Sequence, residues 1–521
     1  MGQRNGRPSA LLALLTMNAD PHLEPIGYQW LCRQFKVNPM PYHVESYVGK
    51  TSRKSREERG RLIEVYAQGQ HRAETIFDHL EFGLKREGLH LSLLREVLPR
   101  LPLQEVTAYV SSKPSGIYAR RIAYLFEFFS GQRLPFEDMR MGNYVDLMDR
   151  ELYFTRPGTR QSRWRIMDNL LHTLDFSPVL RRTPAIKAER DQELHARCAR
   201  AIQEVPPEVF HRAMRFLYAK ETRTSYAIER ETPTQKRAEL FMAQLERSAR
   251  EDFLNEKALV ALQKAIVDPR FAADGWRQAQ NYVGQTLAPG MEDIHLVPPK
   301  PEDIDFLMRH WLACSAQLAE TEFVPPIAAA AAVAWLFVFM HPFLDGNGRI
   351  HRFLIHHVLA RRKFGPPGVL LPVSAVILNR PAQYDASLEA FSVPLKQRTD
   401  YDLDAQGGMK VLNETLDHFR YVDCTEMAEA LYRFIEETIE TELPAELRYL
   451  HRYDAARKAM RDVVDLPETT ANLFIKLCLQ NEGRLSNSKR KLPAFSMITS
   501  EEMERLEEAL RTAYDLKPVD E

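Results

Sequence analysis

Apolar positions recur three and four residues apart through much of the second half of the chain, a spacing that lines them along one helical face. EVFHRAMRFLYAK (208–220), QKRAELFMAQLERSARE (235–251) and NEKALVALQKAIVD (255–268) carry it, and so do EMAEALYRFIEETIETEL (426–443) and AARKAMRDVVDLP (455–467). The last helix is expected to open at TSEE (499–502), where Thr499 and Glu502 have the spacing of a capping box. In the first 200 residues the pattern is mixed. REERGRLIEVYAQGQHRAETIFDHLEFGLKREG (56–88) reads as helical, whereas GNYVDLMDRELYFTRPGTRQ (142–161) reads as strands and turns. SPVLRRTPAIKAERD (177–191) clusters Pro and Arg and reads as a linker leading into a helix. Two short apolar runs flank Pro289-Gly290 in NYVGQTLAPGMEDIHLVPP (281–299), which predicts a hairpin. The expectation is therefore an α-dominated protein of three parts: an N-terminal mixed α/β region (1–200), a helical middle with a hairpin (205–400) and a C-terminal helical region (401–521).

Composition adds little to this picture but removes several classes. Apolar residues make up 45% of the 521 and charged residues 27%, as in an ordinary globular protein. Lys+Arg 70 against Asp+Glu 71 leaves a net charge of -1, with no basic stripe, which argues against a nucleic-acid partner. The basic run KTSRKSREERGR (50–61) reads as a solvated helix face. Five scattered cysteines without a CxxC pair suit a reducing compartment rather than a disulfide framework or zinc site. MGQRNGRPSALLALLTMNADP at the start mimics a signal peptide but is read as an ordinary domain start. IAAAAAVAWLFVFM (327–340) is 14 residues long, short for a membrane span and right for a buried helix. A cytoplasmic protein without a membrane partner is expected.

The chemistry concentrates directly after that apolar run, in HPFLDGNGRIHR (341–352). Pro342 disfavours helical geometry at His341, and GRIHRFLIHHVLARRKFG (348–365) resumes helical spacing, so DGN should connect two helices. The second helix then begins with unpartnered backbone N–H groups and a partial positive charge. Gly346 and Gly348 leave room for a phosphate to approach that backbone. Arg349 and Arg352, three apart, could hold further phosphate oxygens. Asp345 could bind a Mg²⁺ that bridges the phosphates, and His341 could take a proton from a hydroxyl. An EF-hand reading of DGNG fails, because Arg349, Ile350 and His356 would occupy ligand, glycine and glutamate positions. His351, His356 and His357 are read as packing or solvent residues rather than metal ligands. Walker A, Rossmann, HExxH and serine-elbow motifs are missing.

HPFLDGNGRIHR resembles the signature of the Fic family, HPF-x-[D/E]-GNGR-x-x-R, at every specified position, and the resemblance extends over about 205–400. It implies a helical Fic fold with a β-hairpin flap, and a protein AMP-transferase that uses ATP and Mg²⁺. His341 would be the base and Asp345 the metal ligand. Gly346, Asn347 and Gly348 would form the anion hole, with Arg349 on the outgoing phosphates and Arg352 on the γ-phosphate. The hairpin would be the flap that docks an extended stretch of a target protein, with Val283 and Gly284 as its residues of interest. Asn379 and Tyr384, in VILNRPAQYDA (376–386), lie where the family often lines its adenine pocket.

TSYAIERE (224–231) is similar to the family's inhibitory-helix motif, [S/T]-x-x-x-E-[G/N], with Ser225 and Glu229 matching and Arg230 departing from it. The resemblance implies that Glu229 pairs with Arg352 and restrains the enzyme. If position 230 needs a permissive backbone, arginine would strain it and loosen the restraint; the alternative is that the extra cation alters the charge around the site. AMP removal, a dual activity, or a catalytically quiet nucleotide-binding module are the alternatives. The base preference of the nucleotide and the oligomeric state stay open.

Overall fold

The computed structural model describes residues 23–56, 61–203, 207–288, 291–404 and 406–516. The N-terminal opening stretch expected as a domain start therefore lies outside the described residues. Strands β1 (Glu24–Pro25), β2 (Val44–Gly49), β3 (Arg53–Arg56) and β4 (Leu62–Ala67) form a sheet in the order β1-β2-β4-β3, with β2 parallel to β4 and the outer pairs antiparallel. Two expectations fail here. LIEVYA is strand β4 rather than helix, because its β-branched and aromatic residues find pairing partners on both sides and bury Val65. The described part of the basic run is β3, a charged edge strand, rather than a helix face.

The stretch expected as strands and turns holds β5 (Val145–Asp146) and β6 (Thr159–Gln161), which pair with β7 (Ile166–Asp168) just beyond it, in the order β5-β7-β6. Segment 177–191 is not a free linker. Ser177 N donates to Arg420 O (2.9 Å), Val179 N to Val422 O (2.9 Å) and Cys424 N to Val179 O (2.8 Å), while Val179, Leu180 and Ile186 are buried.

Helices α1 (Ala188–Gln203), α2 (Pro207–Ile228), α3 (Gln235–Arg247), α4 (Glu256–Ile266), α5 (Pro301–Glu320), α6 (Pro326–Met340), α7 (Asn347–Arg361), α8 (Val373–Asn379), α9 (Pro381–Lys396) and α10 (Thr425–Glu437) build the middle of the molecule. Helix α6 is the expected apolar helix. Its alanines favour helix and let α5, α7 and α10 pack closely around it, so that Ile327 to Met340 are all buried. Asp191 on α1 accepts from Ile327 N (3.0 Å) at its positive end and from the Tyr432 hydroxyl. Burial raises the Asp191 carboxyl to about 6, against the pull of those bonds.

The hairpin is present as β8 (Val283–Ala288) and β9 (Met291–Leu296); its turn lies outside the described residues. A second hairpin, β10 (Tyr401–Leu403) and β11 (Met409–Val411), supports it: Ile294 and Val297 share a small apolar cluster with Met409 and Val411. Lys396 on α9 also donates to Ile294 O (2.8 Å). The C-terminal helices, including α11 (Leu443–Arg461) and α12 (Ser500–Tyr514), enclose a separate core around Met460, Phe474 and Leu506. The Thr499–Glu502 capping box opens α12 as expected. Among the described residues no helix is long and apolar enough to cross a membrane.

A side chain at Gly284 would begin 2.5 Å from Asp293 O on the partner strand. Gly284→Val is therefore expected to push β8 off β9, read as lost hydrogen-exchange protection across 291–296 with α6 and α7 unchanged. Retained protection in β9 would show that the strands can separate there without unpairing.

Candidate active site

His341 ends α6 in the left-handed region (φ 47°), its N–H still bonded to Phe337 O (3.0 Å). Its Nδ1 lies 3.2 Å from Val338 O, so Nδ1 carries the proton and Nε2 keeps its lone pair. Burial, aided by the nearby Arg277 charge, lowers the imidazole to about 4, although Val338 O and Asp345 pull the other way. The ring is thus neutral at pH 7 and able to accept a proton.

Arg277, which the sequence did not single out, holds this corner together. Its backbone N–H donates to Pro342 O (2.8 Å), Nε to His341 O (2.9 Å), Nη1 to Ala279 O (2.9 Å) and Nη2 to Pro299 O (2.5 Å). The residue before the hairpin, the residue after it and the end of α6 all meet at one guanidinium. Burial lowers it to about 10. Nothing local marks it, because three of its four acceptors, the carbonyls of Pro299, His341 and Pro342, are distant in sequence.

The connection from α6 to α7 is braced by Asn347, whose side chain accepts from Phe343 N (3.0 Å) and donates to Phe343 O (2.7 Å). The amide of Asn347 is therefore a loop clasp, which leaves only its backbone N–H for the anion hole expected from the sequence. Gly346 caps α7 at φ 90°, a conformation that suits glycine. Asp345 Oδ1 accepts from Gly346 N (2.6 Å) and Arg349 Nη2 (2.9 Å).

Helices α2 and α7 are joined by a ladder of polar contacts. Glu221, Ser225 and Glu229 stand four apart on α2 and its end; Arg349, Arg352 and His356 face them from α7. At the first rung His356 Nε2 lies 2.9 Å from Glu221 Oε1, and Ser374 at the start of α8 gives its N–H (3.0 Å) and hydroxyl to the same carboxylate. Burial would raise the Glu221 carboxyl, but His356 and Ser374 outweigh it and leave it below its usual value. At the second rung Arg352 Nε donates to Ser225 Oγ (2.8 Å) and Nη2 to Ser225 O (2.7 Å). The third rung is Glu229, with Oε1 2.8 Å from Arg352 Nη2 and Oε2 2.8 Å from Arg349 Nε, the latter an ion pair without hydrogen-bond alignment. The expected Glu229–Arg352 contact is present, and Arg349 shares it.

A Cβ on Gly348 would sit 2.2 Å from Glu229 Oε1. The carboxylate thus rests against the first turn of α7, where a phosphate was expected. Arg349 and Arg352 are 0% and 2% exposed. Arg349, Arg352 and Arg237 are matched by Glu229, Glu231 and Asp345. The cluster closes on itself as a neutral set. Among the described residues no three His, Cys, Asp or Glu gather as a metal cage. Asp345 alone fits Mg²⁺, which takes one or two carboxylates and fills the rest of its shell with phosphates and water.

The other expected residues are more scattered. Val283 and Gly284 begin β8, opposite Leu296 and Ile294. Tyr384 is buried edge-on to Trp335, with the Arg352 charge acting on its hydroxyl, so it belongs to the surroundings of the cluster. Asn379 is exposed and reaches Glu442 (3.4 Å); none of its contacts among the described residues touches the cluster. His351 packs against Trp335, and His357 Nδ1 meets Ser248 O (2.7 Å), so these two are packing residues as expected.

With this geometry in place, comparison with known proteins becomes informative. The sequence profile described as Fic/DOC family matches residues 253–359. The chain carries a Fic/DOC family domain. It is 34% identical over 106 residues to the protein adenylyltransferase Fic of Drosophila grimshawi, covering 20% of this chain and 19% of that protein. To the protein of that name from Nematostella vectensis it is 40% identical over 73 residues, 13% and 16% of the two chains. The chain thus spans about a fifth of the length of the curated relatives it matches. A Fic family protein from Desulfovibrio desulfuricans G20 superposes with a TM-score of 0.33 at 18% identity, over 65% of this chain and 86% of that one. The Fic match leaves out α2 and residues 225–231, so the ladder is read from this chain's own contacts.

The end of α2 explains the unusual Arg230. Glu231 N donates to Tyr226 O (3.1 Å) and Arg230 N to Ala227 O (2.9 Å), the two bonds of a Schellman motif, with Arg230 in the left-handed position at φ 57°. The strain expected at residue 230 has its structural basis there. Arg230→Gly is expected to raise stability by about 1 kcal/mol, after the backbone entropy of glycine is counted. A higher thermal midpoint would show this; an unchanged one would mean that Arg230 recovers the strain through its side chain.

Proposed function

We propose that the protein transfers AMP from ATP to a Ser, Thr or Tyr hydroxyl of a target protein, and that Glu229 restrains this activity. The observation that carries the reading is the Glu229 carboxylate lying against Gly348 while it pairs with both buried motif arginines. An anion is already favoured there by the start of α7 and two guanidinium groups, and a nucleotide phosphate would have to displace it.

In the transfer, His341 Nε2 takes the proton from the attacking hydroxyl. The hydroxyl oxygen forms a bond to the α-phosphorus, the bond from that phosphorus to the bridging oxygen breaks, and pyrophosphate leaves. Because Nδ1 is committed to Val338 O, Nε2 is the nitrogen that accepts. The backbone N–H groups at the start of α7 and the two arginines neutralise charge on the phosphates, so positioning and electrostatics supply most of the rate. Asp345 would hold Mg²⁺, which when bound adds further charge neutralisation. The target would lie along β8, whose outer edge can add a strand, at a distance from His341 governed by Arg277.

We take residues 205–400 as the catalytic unit, with 1–200 and 401–521 as its flanks. The five cysteines are all buried free thiols, in accord with a reducing, cytoplasmic setting. The same glutamate could orient a water toward a bound AMP, which makes AMP removal the second reading.

The test is self-modification with ATP labelled at the α-phosphate, with a γ-labelled control. The natural protein is expected to label weakly and Glu229→Gly at least about tenfold more. Adding His341→Ala should then reduce the signal by about a hundredfold or more, the size of a general-base contribution. Equal labelling of the natural protein and Glu229→Gly would remove the restraint but keep the transferase. Absence of α-label in every form, with release of AMP from a modified substrate, would establish the second reading.

The lowered His341 value also sets a pH dependence. A base must be neutral, and an imidazole that titrates at about 4 stays neutral as pH falls from 8 to 5. The acid limb of kcat/KM for Glu229→Gly is therefore expected near 4, since that ratio reports the free protein. A limb near 6.5 would mean that the imidazole is hydrated in the active state.

A further inference from the structure

Glu231 stands two residues beyond the expected inhibitory glutamate and makes a contact that neither the motif nor the family comparison accounts for. Its carboxylate meets Arg349 twice, Oε2 at 3.1 Å from Nη1 and Oε1 at 3.3 Å from Nη2. Its reach depends on the Schellman turn. Glu229 closes the end of α2, Arg230 swings the chain through its left-handed conformation, and Glu231 follows bonded back to Tyr226. Two carboxylates that flank one reversed residue thereby converge on one guanidinium, Glu229 on Nε and Glu231 on both terminal nitrogens. Tyr226 itself lies under Arg349, with its ring centre 5.0 Å from the guanidinium carbon.

We propose that Glu231 is a second restraining carboxylate, which holds Arg349 as Glu229 holds Arg352, so that the site is closed by two locks rather than one. The inference rests on the reading of the cluster as a nucleotide-phosphate site. Arg349 has only a few donors, and here Glu231, Asp345 and Ile266 O occupy its terminal nitrogens. Phosphate oxygens must displace a carboxylate to reach it. Glu231 also has a place to go: Arg237 on α3 already donates to its Oε2 (3.1 Å) and is itself anchored on Ile266 O (3.0 Å). A phosphate that takes over Arg349 leaves Glu231 paired with Arg237, so the lock can open without stranding a charge. Glu231 acts only through Arg349 and is a positioning residue.

The experiment uses the full chain as six proteins: natural, Glu229→Gly, Glu231→Gln, the double variant of these two, Arg349→Ala, and Arg349→Ala with Glu231→Gln. Glu231→Gln keeps the shape of a partly exposed side chain and removes its charge. Affinity for MgATP is measured calorimetrically, and transfer with α-labelled ATP. Glu231→Gln is expected to tighten MgATP binding about threefold to tenfold, with the larger gain in the Glu229→Gly background, where Glu229 no longer holds Arg349 Nε. In an Arg349→Ala background the same change should have no effect, a result that a merely structural role would not produce. Gains in affinity without transfer in any form would uphold the second lock and overturn the transferase. Transfer that rises with Glu229→Gly while Glu231→Gln changes neither affinity nor transfer in either background would overturn the second lock and keep the transferase. Weaker MgATP binding in Glu231→Gln, or a gain that persists without Arg349, would also overturn it, and no nucleotide binding in any form would overturn both.

Discussion

Two guanidinium groups almost without solvent exposure must be matched by anions, and much of the site follows from that requirement. A buried arginine left without a partner costs far more than an exposed pair returns. Arg349 and Arg352 project from one helix start, so their anions have to arrive from elsewhere in the chain or from a ligand. In this structure Glu229 and Glu231 at the end of α2, together with Asp345 just before α7, supply them. The polar ladder that begins at Glu221 and His356 sets the height of α2 along α7, and that register brings Ser225 and Glu229 opposite Arg352.

The remaining chemistry is mounted on α6. An all-apolar helix packed on every side is a rigid base, and His341 leaves it in the left-handed conformation with Nδ1 held by Val338 O. Arg277 then links this end of α6 to both roots of the hairpin through four carbonyls. His341 and the hairpin are thus held in one frame, while the buried charge cluster lies in another, between α2 and α7. The second frame is charge-balanced within the molecule, three arginines against three carboxylates.

Much of this was legible in advance, for identifiable reasons. The helix ending at His341, the hairpin around 289–290, the α12 capping box and the Ser225/Glu229 pairing with Arg352 all depend on short-range patterns or a long motif. The failures share another cause. LIEVYA is six residues long, a length at which helix and strand periods cannot be separated, and its neighbours in the sheet decided for strand. Segment 177–191 looked open because proline and arginine are common in linkers, yet its apolar residues pair with 420–424, more than 240 positions away.

By itself the sequence determined which groups are available: a histidine at a helix end, then an acid, glycines at the next helix start and two arginines three apart, because that order lies within twelve consecutive residues. It also determined a domain family, since a motif of that length is specific. The tertiary structure decided the state of those groups. Arg277, Glu221 and Glu231 carry no local signature, and their parts come from partners that only folding brings within 3 Å or so. Charge pairing depends on distance in space, and sequence spacing reports that distance only within a single helix or turn.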